Sequence, residues 1–570
     1  MPSELVVTPT LNSIPIRHGD FTTTTEALAY AAGGEAGFNF FNVSGELTGV
    51  LDYKQMQAQS MRVALQLKQQ GFSRHDRLIF IAETTPDFLL LFFACQYLGL
   101  IPCPIAFTVN LGGMPAYLEK LDRIIASSQA KAIISSQAIA DAINKSVSIP
   151  TLVYSEMVHQ AQKFHQPELA ELSPFTADEP AYIQFSSGST THPKGVQISQ
   201  RDLHTNIYAV LRYGMKLRPE DRSFNWLPFH HNMGMIGFLL ASVYGQRTVD
   251  CLSAENFVQN PLIWLELMSK YKTAITFAPV FGYQFAMKKY AESENKPSLD
   301  LSSLRVAGIG GDLISPDMLK MFSGCFANSG FNYQSFLPSY GLTETTLAVT
   351  TSDVDQPPVI DTLTSELIQK PIVSCGKALP GFEVKIIDGA TQTKLPEREI
   401  GQIWVKGPSI ITRYIDDQAP IESDDQGYIY TGDLGYLWQD QLFISGREKD
   451  VIIIRGRNIW AQDIEWSLLQ AMPQIGVNNM AAIGINEQQE ESMAILFSAS
   501  EELAADHTQL HQLATEIQNL TRKIAGVQAR VLFTTRTLPL TSSGKLARAQ
   551  AKEAYLSGNM AIIYDSEGHI

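Results

Sequence analysis

The chain has 570 residues, 45% of them hydrophobic and 18% charged, with a formal net charge of −15. That balance excludes wholesale disorder, and the length allows about four units at roughly 150 residues each, or two to three larger ones. A net negative chain also excludes a broad nucleic-acid surface, which needs clustered basic charge, but not a nucleotide held by one or two local cations. The five cysteines, at 95, 103, 251, 325 and 375, form no close pair and no metal-ligand spacing. Neither a disulfide scaffold nor a zinc knuckle is expected, and a reducing, cytoplasmic setting is. Met1 to Ser13 lacks a cationic start followed by an apolar run, so no signal peptide is expected.

In chain order, the first predicted strand is Arg77 to Ala82, followed by a helix from Asp87 to Leu98 and a strand near Ile101 to Phe107. Phe88 to Phe107 is the most apolar window, but Gln96, Gly99, Pro102 and Pro104 interrupt it. A membrane span needs about 20 apolar residues, so a buried helix running into a strand is the better reading. Strands follow at Ala132 to Ser135, Thr151 to Tyr154, Ala181 to Phe185, Thr273 to Ala278 and Leu304 to Ile309, with helical patterns between them. Alternation of this kind predicts parallel sheets under helical cover, an α/β fold.

After about residue 375 the pattern changes to short strands with Gly, Pro and Asp turns: Glu383 to Ile387, Gly401 to Lys406, Tyr428 to Thr431 and Gln441 to Ile444. This reads as a small β-rich subdomain. Beyond Arg447 a compact α+β segment is expected, with Leu510, Leu513, Ile517, Leu520 and Ile524 on one helical face. The predicted division is a large amino-terminal domain, 1–446, and a small carboxy-terminal domain, 447–570.

The stretch Ser186-Ser187-Gly188-Ser189-Thr190-Thr191-His192-Pro193-Lys194-Gly195 follows a predicted strand. Glycine-freed amides and hydroxyls can wrap phosphate oxygens, and Lys194 adds a cation. It is not a Walker A loop, because Pro193 precedes the lysine and Gly195 follows it. Without the Pro-Lys-Gly ending, a polar surface loop would explain it as well. With that ending, the stretch resembles the phosphate-binding signature of the adenylate-forming superfamily, although Thr191 stands where that family usually has Gly.

Further motifs extend the resemblance. Tyr340-Gly341-Leu342-Thr343-Glu344 is similar to the family's next signature, which implies Tyr340 against adenine, Thr343 on the α-phosphate and Glu344 on Mg²⁺. A hard carboxylate oxygen suits Mg²⁺ beside phosphates. Gly310-Gly311-Asp312, on its own a plain β-turn, takes the place of the family's adenine-side turn. Tyr430-Thr431-Gly432-Asp433 resembles the ribose motif, with Asp433 accepting from the ribose hydroxyls. Gly446-Arg447-Glu448-Lys449-Asp450 would by itself be a charged turn. It lies fourteen residues beyond Asp433, counted from Asp433 to Arg447. By the resemblance, Arg447 also contacts the ribose side and Lys449 is the interdomain hinge. Ser543-Gly544-Lys545 resembles the last motif, with Lys545 as catalytic lysine.

Within the superfamily the chain is most like fatty acyl-AMP ligases. Leu227-Pro228-Phe229-His230-His231-Asn232-Met233-Gly234-Met235-Ile236-Gly237 is similar to that branch's pattern, with Asn232 where the branch has Asp. The resemblance puts His231 near the acyl carboxylate; a merely packing histidine is the alternative. The segment Thr350 to Pro371 matches the place of the branch's insertion, which restrains the carboxy-terminal domain, or else is a plain connector. No carboxylate for a substrate ammonium lies between Phe229 and Asn232, and Phe229, Met233, Met235, Phe277, Phe281 and Phe285 suit an apolar tail. The resemblance implies an enzyme that takes ATP with Mg²⁺ and a fatty acid, forms acyl-adenylate, and passes the acyl group to an acyl carrier protein. An acyl-CoA ligase and a non-catalytic sensor on the same fold are the alternatives.

Overall fold

The structure, a computed structural model, describes residues 7–568 except 10, 12, 108, 110–112, 186–193, 365–368, 412–413, 416–420, 455–456, 473–474, 476–478, 488–489 and 542–544. Its centre is a fourteen-stranded sheet. One part is parallel: Val306–Gly310 lies between Ile275–Ala278 and Phe336–Tyr340, and the sheet continues through Ser223–Asn225 and Val249–Leu252 to Gly37–Phe41. The other part is antiparallel and carries Glu383–Ile387, Gly401–Lys406, Ile429–Trp438 and Gln441–Arg447. Gln369–Ala378 joins the two, pairing with Thr350–Thr351 on one side and Gln441–Arg447 on the other. The β-rich part is therefore hydrogen-bonded into the α/β sheet. A second, parallel sheet runs Ile101–Ile105, Arg77–Ile81, Ala132–Ser135, Thr151–Val153.

The apolar helix, Pro86–Leu98, is buried from Phe88 to Leu98. Thr85 caps it by accepting from the Phe88 amide, Pro86 opens it, and Gly99 closes it in the left-handed region at φ +72°. Gln96, its one buried amide side chain, donates to the Ala181 carbonyl at 2.8 Å and accepts from Thr24 and Gln200. A buried polar group with its bonds made in protein fits a core helix. Among the described residues no helix is long and apolar enough to cross a membrane.

Beyond residue 450 lie a short hairpin, Val451–Ile454 with Arg457–Trp460, and a four-stranded sheet built on Met480–Glu487, Glu490–Ser498, Arg530–Thr534 and Tyr564–Asp565. Helix His507–Ala525 buries Leu510, Ala514, Ile517 and Thr521, with Leu513, Leu520 and Ile524 half-buried beside them. Two apolar cores of this part draw only on its own residues, from Ile452 onward.

The segment Thr350 to Pro371 begins in the central sheet, and Ile360–Thr364 forms a hairpin with Gln369–Ala378. Val354 is in the main core, and Leu363 packs with Ile372, Tyr436 and Phe443. Asp361 is buried, takes a hydrogen bond from Arg398 Nε at 3.1 Å and another from the Tyr436 hydroxyl at 3.2 Å. These side chains face the large domain, because an antiparallel hairpin presents its apolar face to the sheet that continues it. Leu367 and Ile368 lie outside the described residues.

Candidate active site

Two adjacent parallel strands, Val306–Gly310 and Phe336–Tyr340, end side by side and hand the chain to two glycine turns. Crevices beyond the carboxyl ends of parallel strands are where α/β sheets bind ligands. Gly311 has φ +76°, the left-handed region that suits glycine. At Gly341 a Cβ would lie 1.8 Å from the Leu347 carbonyl, so the next turn can close only over a bare Cα. Glycine here lets Thr343–Thr345 form a 3₁₀ turn against the strand end, with Glu344 at its centre. Asp312 accepts from the Leu313 amide at 2.8 Å.

Asp433 and Arg447 come from neighbouring antiparallel strands and face each other in register. Arg447 Nε lies 3.3 Å from Asp433 Oδ1, and the Tyr340 hydroxyl donates to Asp433 Oδ2 at 2.7 Å. Asp433 is buried, and burial pushes its carboxyl above the usual range, outweighing the pull of Arg447 and Tyr340. Tyr340, Asp433 and Arg447, distant in sequence, thus form one contact set.

Lys545 reaches into this crevice from the carboxy-terminal part. Its Nζ donates to the Gly311 carbonyl. Its backbone is tied to Thr541: Lys545 N donates to Thr541 Oγ1 at 3.2 Å, and Thr541 N donates back to the Lys545 carbonyl at 2.6 Å. Burial lowers the Lys545 ammonium below its ordinary range; Asp312 opposes that, Arg447 adds to it, and Asp433 opposes it. His231 caps a short helical turn, its Nδ1 accepting from the Met233 amide at 3.3 Å. Burial, then Lys545, then His230 push its pKa down to about 3, so it is neutral at physiological pH. Met233 Cε would be 3.4 Å from a Cβ on Gly311, which puts this side chain at the same turn.

Lys194 immediately precedes the strand Gly195–Ser199 and stands over the Tyr414 ring, 4.7 Å from its centroid. The Tyr414 hydroxyl donates to Glu344 at 2.9 Å. Ser186, Ser187, Gly188, Ser189 and Thr190 lie outside the described residues, as do Ser542, Ser543 and Gly544. The strands that carry the loop, Pro180–Phe185 and Gly195–Ser199, are antiparallel partners. Thr343 opens the 3₁₀ turn and is half-buried beside Glu344.

Lys449 is exposed at the centre of the 3₁₀ turn Glu448–Asp450. Its neighbours are held from opposite sides. Glu448 accepts from the Tyr430 hydroxyl at 2.6 Å and from Gln402 Nε2 at 3.1 Å, both in the central sheet. Asp450 pairs with Arg548 Nη1 at 3.3 Å, and Arg548 Nε donates to buried Glu465 at 2.8 Å.

Of the six apolar residues expected to suit a substrate tail, Phe229 and Met235 are buried in the core; Phe229 stacks on Phe88 at 5.7 Å. Met233, Phe277, Phe281 and Phe285 are only partly covered. Phe277 lies edge-on to Phe238 at 6.2 Å, and Phe281 meets Trp226 and Phe285. Tyr414 was not expected at the site. It lies in none of the motifs read from the sequence, and as one aromatic residue among Ile410, Ile411 and Ile415 it carries no signal that separates it from the core.

Among the described residues no group of three or more His, Cys, Asp or Glu could hold a metal. A lone carboxylate such as Glu344 fits Mg²⁺ beside a polyphosphate, because Mg²⁺ keeps waters and takes phosphate oxygens for the rest of its shell.

The family description "AMP-binding enzyme" matches residues 41–415. A Caulobacter vibrioides protein named "Putative acyl-CoA synthetase" is 35% identical, over 98% of this chain and 99% of that one. A Moorena producens protein named medium-chain-fatty-acid–[acyl-carrier-protein] ligase JamA is 26% identical, over 95% and 96%. Among solved structures, one from a study of fatty acyl-adenylate ligases of E. coli and L. pneumophila superposes with a TM-score of 0.85 at 35% identity, covering 96% of this chain and 99% of that one. The chain belongs to the AMP-binding enzymes, the adenylate-forming family.

Proposed function

We propose that this enzyme activates a fatty acid with ATP and Mg²⁺ and delivers the acyl group to the phosphopantetheine thiol of an acyl carrier protein. The observation that carries the reading is Lys545 bonded to the Gly311 carbonyl, at the mouth of the crevice that also gathers Tyr340, Asp433, Arg447 and His231. In this reading residues 1–446 bind both substrates, and 447–570 are a lid that presents Lys545.

The chemistry follows from charge. The fatty-acid carboxylate attacks the α-phosphorus; the new bond is carboxylate oxygen to phosphorus, and the bond from the α-phosphorus to the α,β-bridging oxygen breaks to release pyrophosphate. Negative charge crowds at the α-phosphate during the step, and the Lys545 ammonium stabilises it there. Mg²⁺, when bound, offsets charge on the phosphates, and Glu344 would hold it. Lys194 and the amides and hydroxyls of Ser186 to Thr190 hold the remaining phosphate oxygens. Asp433 and Arg447 orient the ribose, and Tyr340 the adenine. Neutral His231 can hydrogen-bond the carboxylate without adding a second cation that would quench its attack. In the second step a thiolate attacks the acyl carbonyl and AMP leaves.

The apolar, partly covered side chains Met233, Phe277, Phe281 and Phe285, and the absence of a carboxylate between Phe229 and Asn232, favour an alkyl chain over an amino acid. The name of the Moorena relative favours a carrier protein as acceptor, and that of the Caulobacter relative favours CoA. Incubation with ATP, a fatty-acid panel and either holo carrier protein or CoA, read by product mass spectrometry, decides. Carrier loading well ahead of acyl-CoA formation is the expected result. Equal or faster acyl-CoA formation would make the protein an acyl-CoA ligase, and no pyrophosphate release with any acid would make it a sensor.

A further inference from the structure

We infer that Tyr414 is a positioning residue for the nucleotide's polyphosphate, holding the Lys194 ammonium and the Glu344 carboxylate apart and in fixed relation. The inference rests on the reading of the crevice as an ATP·Mg²⁺ site. Lys194 and Glu344 have opposite charges and serve the same phosphates. If they met in a direct ion pair, each would neutralise the other, and ATP would have to break the pair in order to bind. The Tyr414 side chain stands between the two functions. Its ring face offers Lys194 an attraction that leaves the cation's charge intact, at 4.7 Å. Its hydroxyl takes up only one acceptor position on Glu344, at 2.9 Å, leaving the carboxylate capacity for a metal. Among the described residues Lys194 makes no ion pair.

The turn that bears Tyr414 is fastened to both partners through the backbone. Tyr414 forms a bridge with Val196, and the Ile415 amide donates to the Gly195 carbonyl at 2.9 Å, immediately after the phosphate loop. On the other side the Ile411 amide donates to the Glu344 carbonyl at 3.0 Å. A Cβ on Gly195 would be 2.5 Å from Ile415 Cδ1, so the Ile415 side chain packs directly on the bare Cα. Tyr414 itself is buried. One side chain therefore ties the return of the phosphate loop to the turn that carries the metal carboxylate.

The test separates ring from hydroxyl. Calorimetric titration of ATP into the full chain is run once in EDTA and once over a Mg²⁺ series, for the parent, Tyr414→Phe and Tyr414→Leu. Tyr414→Phe keeps the ring: its affinity in EDTA should equal the parent's, and its Mg²⁺ requirement should rise about threefold to tenfold, as for one lost hydrogen bond. Tyr414→Leu should in addition weaken ATP binding in EDTA by about threefold to tenfold, as for a lost cation–π contact. In a Glu344→Gln background, Tyr414→Phe should change the Mg²⁺ requirement less than about twofold, because the carboxylate through which the hydroxyl acts on the metal is already gone. Parent-like titrations for both variants, equal losses for both, or an additive double variant would overturn the inference. Melting curves guard the comparison: if Tyr414→Leu is unfolded, Tyr414→Phe and the double variant still decide. These readouts are binding constants, so a parent that binds ATP·Mg²⁺ but releases no pyrophosphate would sink the proposed function while leaving the Tyr414 result valid.

Discussion

Replacing Lys545 by alanine removes a cation that the carboxy-terminal part delivers to the crevice. In the structure its ammonium is bonded to the Gly311 carbonyl, and a Cβ on Gly311 would sit only 3.0 Å from Nζ. Burial there disfavours the charged ammonium and lowers its pKa, which Asp312 and Asp433 only partly offset. That cost is borne before substrates arrive and is recovered when negative charge builds at the α-phosphate. The variant should therefore lose transition-state stabilisation without losing stability. Loss of one preorganised donor at a developing oxyanion is worth about 10²–10³ in rate, or roughly 2.7–4 kcal/mol. The assay is fatty-acid-dependent pyrophosphate release at saturating ATP, with melting temperature measured in parallel. Adenylation should fall by that factor, the melting temperature should hold or rise slightly, and ATP affinity should stay within about threefold of the parent's. Chemically supplied acyl-adenylate should still be transferred at the parent's rate. A variant that releases pyrophosphate within about fivefold of the parent would refute the role.

Three other changes test the frame of the site. Gly341→Ala drives a methyl into the Leu347 carbonyl at 1.8 Å, and thermal unfolding should show a loss of about 1–3 kcal/mol with nucleotide binding impaired. His231 is neutral in the folded chain down to about pH 3, whereas in the unfolded chain it titrates near 6.5. Between those values the unfolded state binds the extra proton, so stability is lost as pH falls. By about pH 5 the loss should reach at most about 2 kcal/mol, and a His231→Gln variant should melt with a shallower acid slope than the parent; equal slopes would contradict the shift. Arg548→Met strands the buried Glu465 carboxylate, at an expected cost of about 3–5 kcal/mol in the carboxy-terminal part. Adding Glu465→Met should recover much of that loss in denaturant titrations.

Local patterns made much of the fold legible. Ala132–Ser135, Glu383–Ile387 and Gly401–Lys406 are strands with the bounds that their apolar alternation and flanking turns predict. The helix His507–Ala525 follows its 3.6-residue period, with Asp506 and Gly526 capping it as those residue types do. What local pattern cannot carry is partnership across long separations. Nothing in Thr350–Thr351 announces that two residues would connect a parallel sheet to an antiparallel one. The aliphatic residues of 350–371 predict burial but not direction, and Leu363 settles on Tyr436 and Phe443 of the large domain. Phe229 and Met235 looked as suitable for a substrate tail as Phe277 and Phe281, because hydrophobicity is the same signal for core and pocket. Among site residues, Tyr340, Asp433, Arg447 and Lys545 lay in motifs, and the structure brings their side chains to one crevice. Tyr414 lay in none, since its significance comes from contacts made 70 residues from Glu344 and more than 200 from Lys194.

The two tethers around Lys449 bear on how the proposed lid could move. With Glu448 fastened to the sheet and Asp450 to Arg548, and the turn closed by the Val451 amide on the Glu448 carbonyl, motion of the proposed lid falls on the backbone torsions around a single exposed residue. A rotation confined to them behaves as an axle and not as a flexible leash. Few conformations are gained on leaving one pose and few are lost on entering the other, so the exchange carries a small entropic penalty. Lys545 would then swing on a fixed arc and return to the Gly311 carbonyl at a high effective concentration in every cycle.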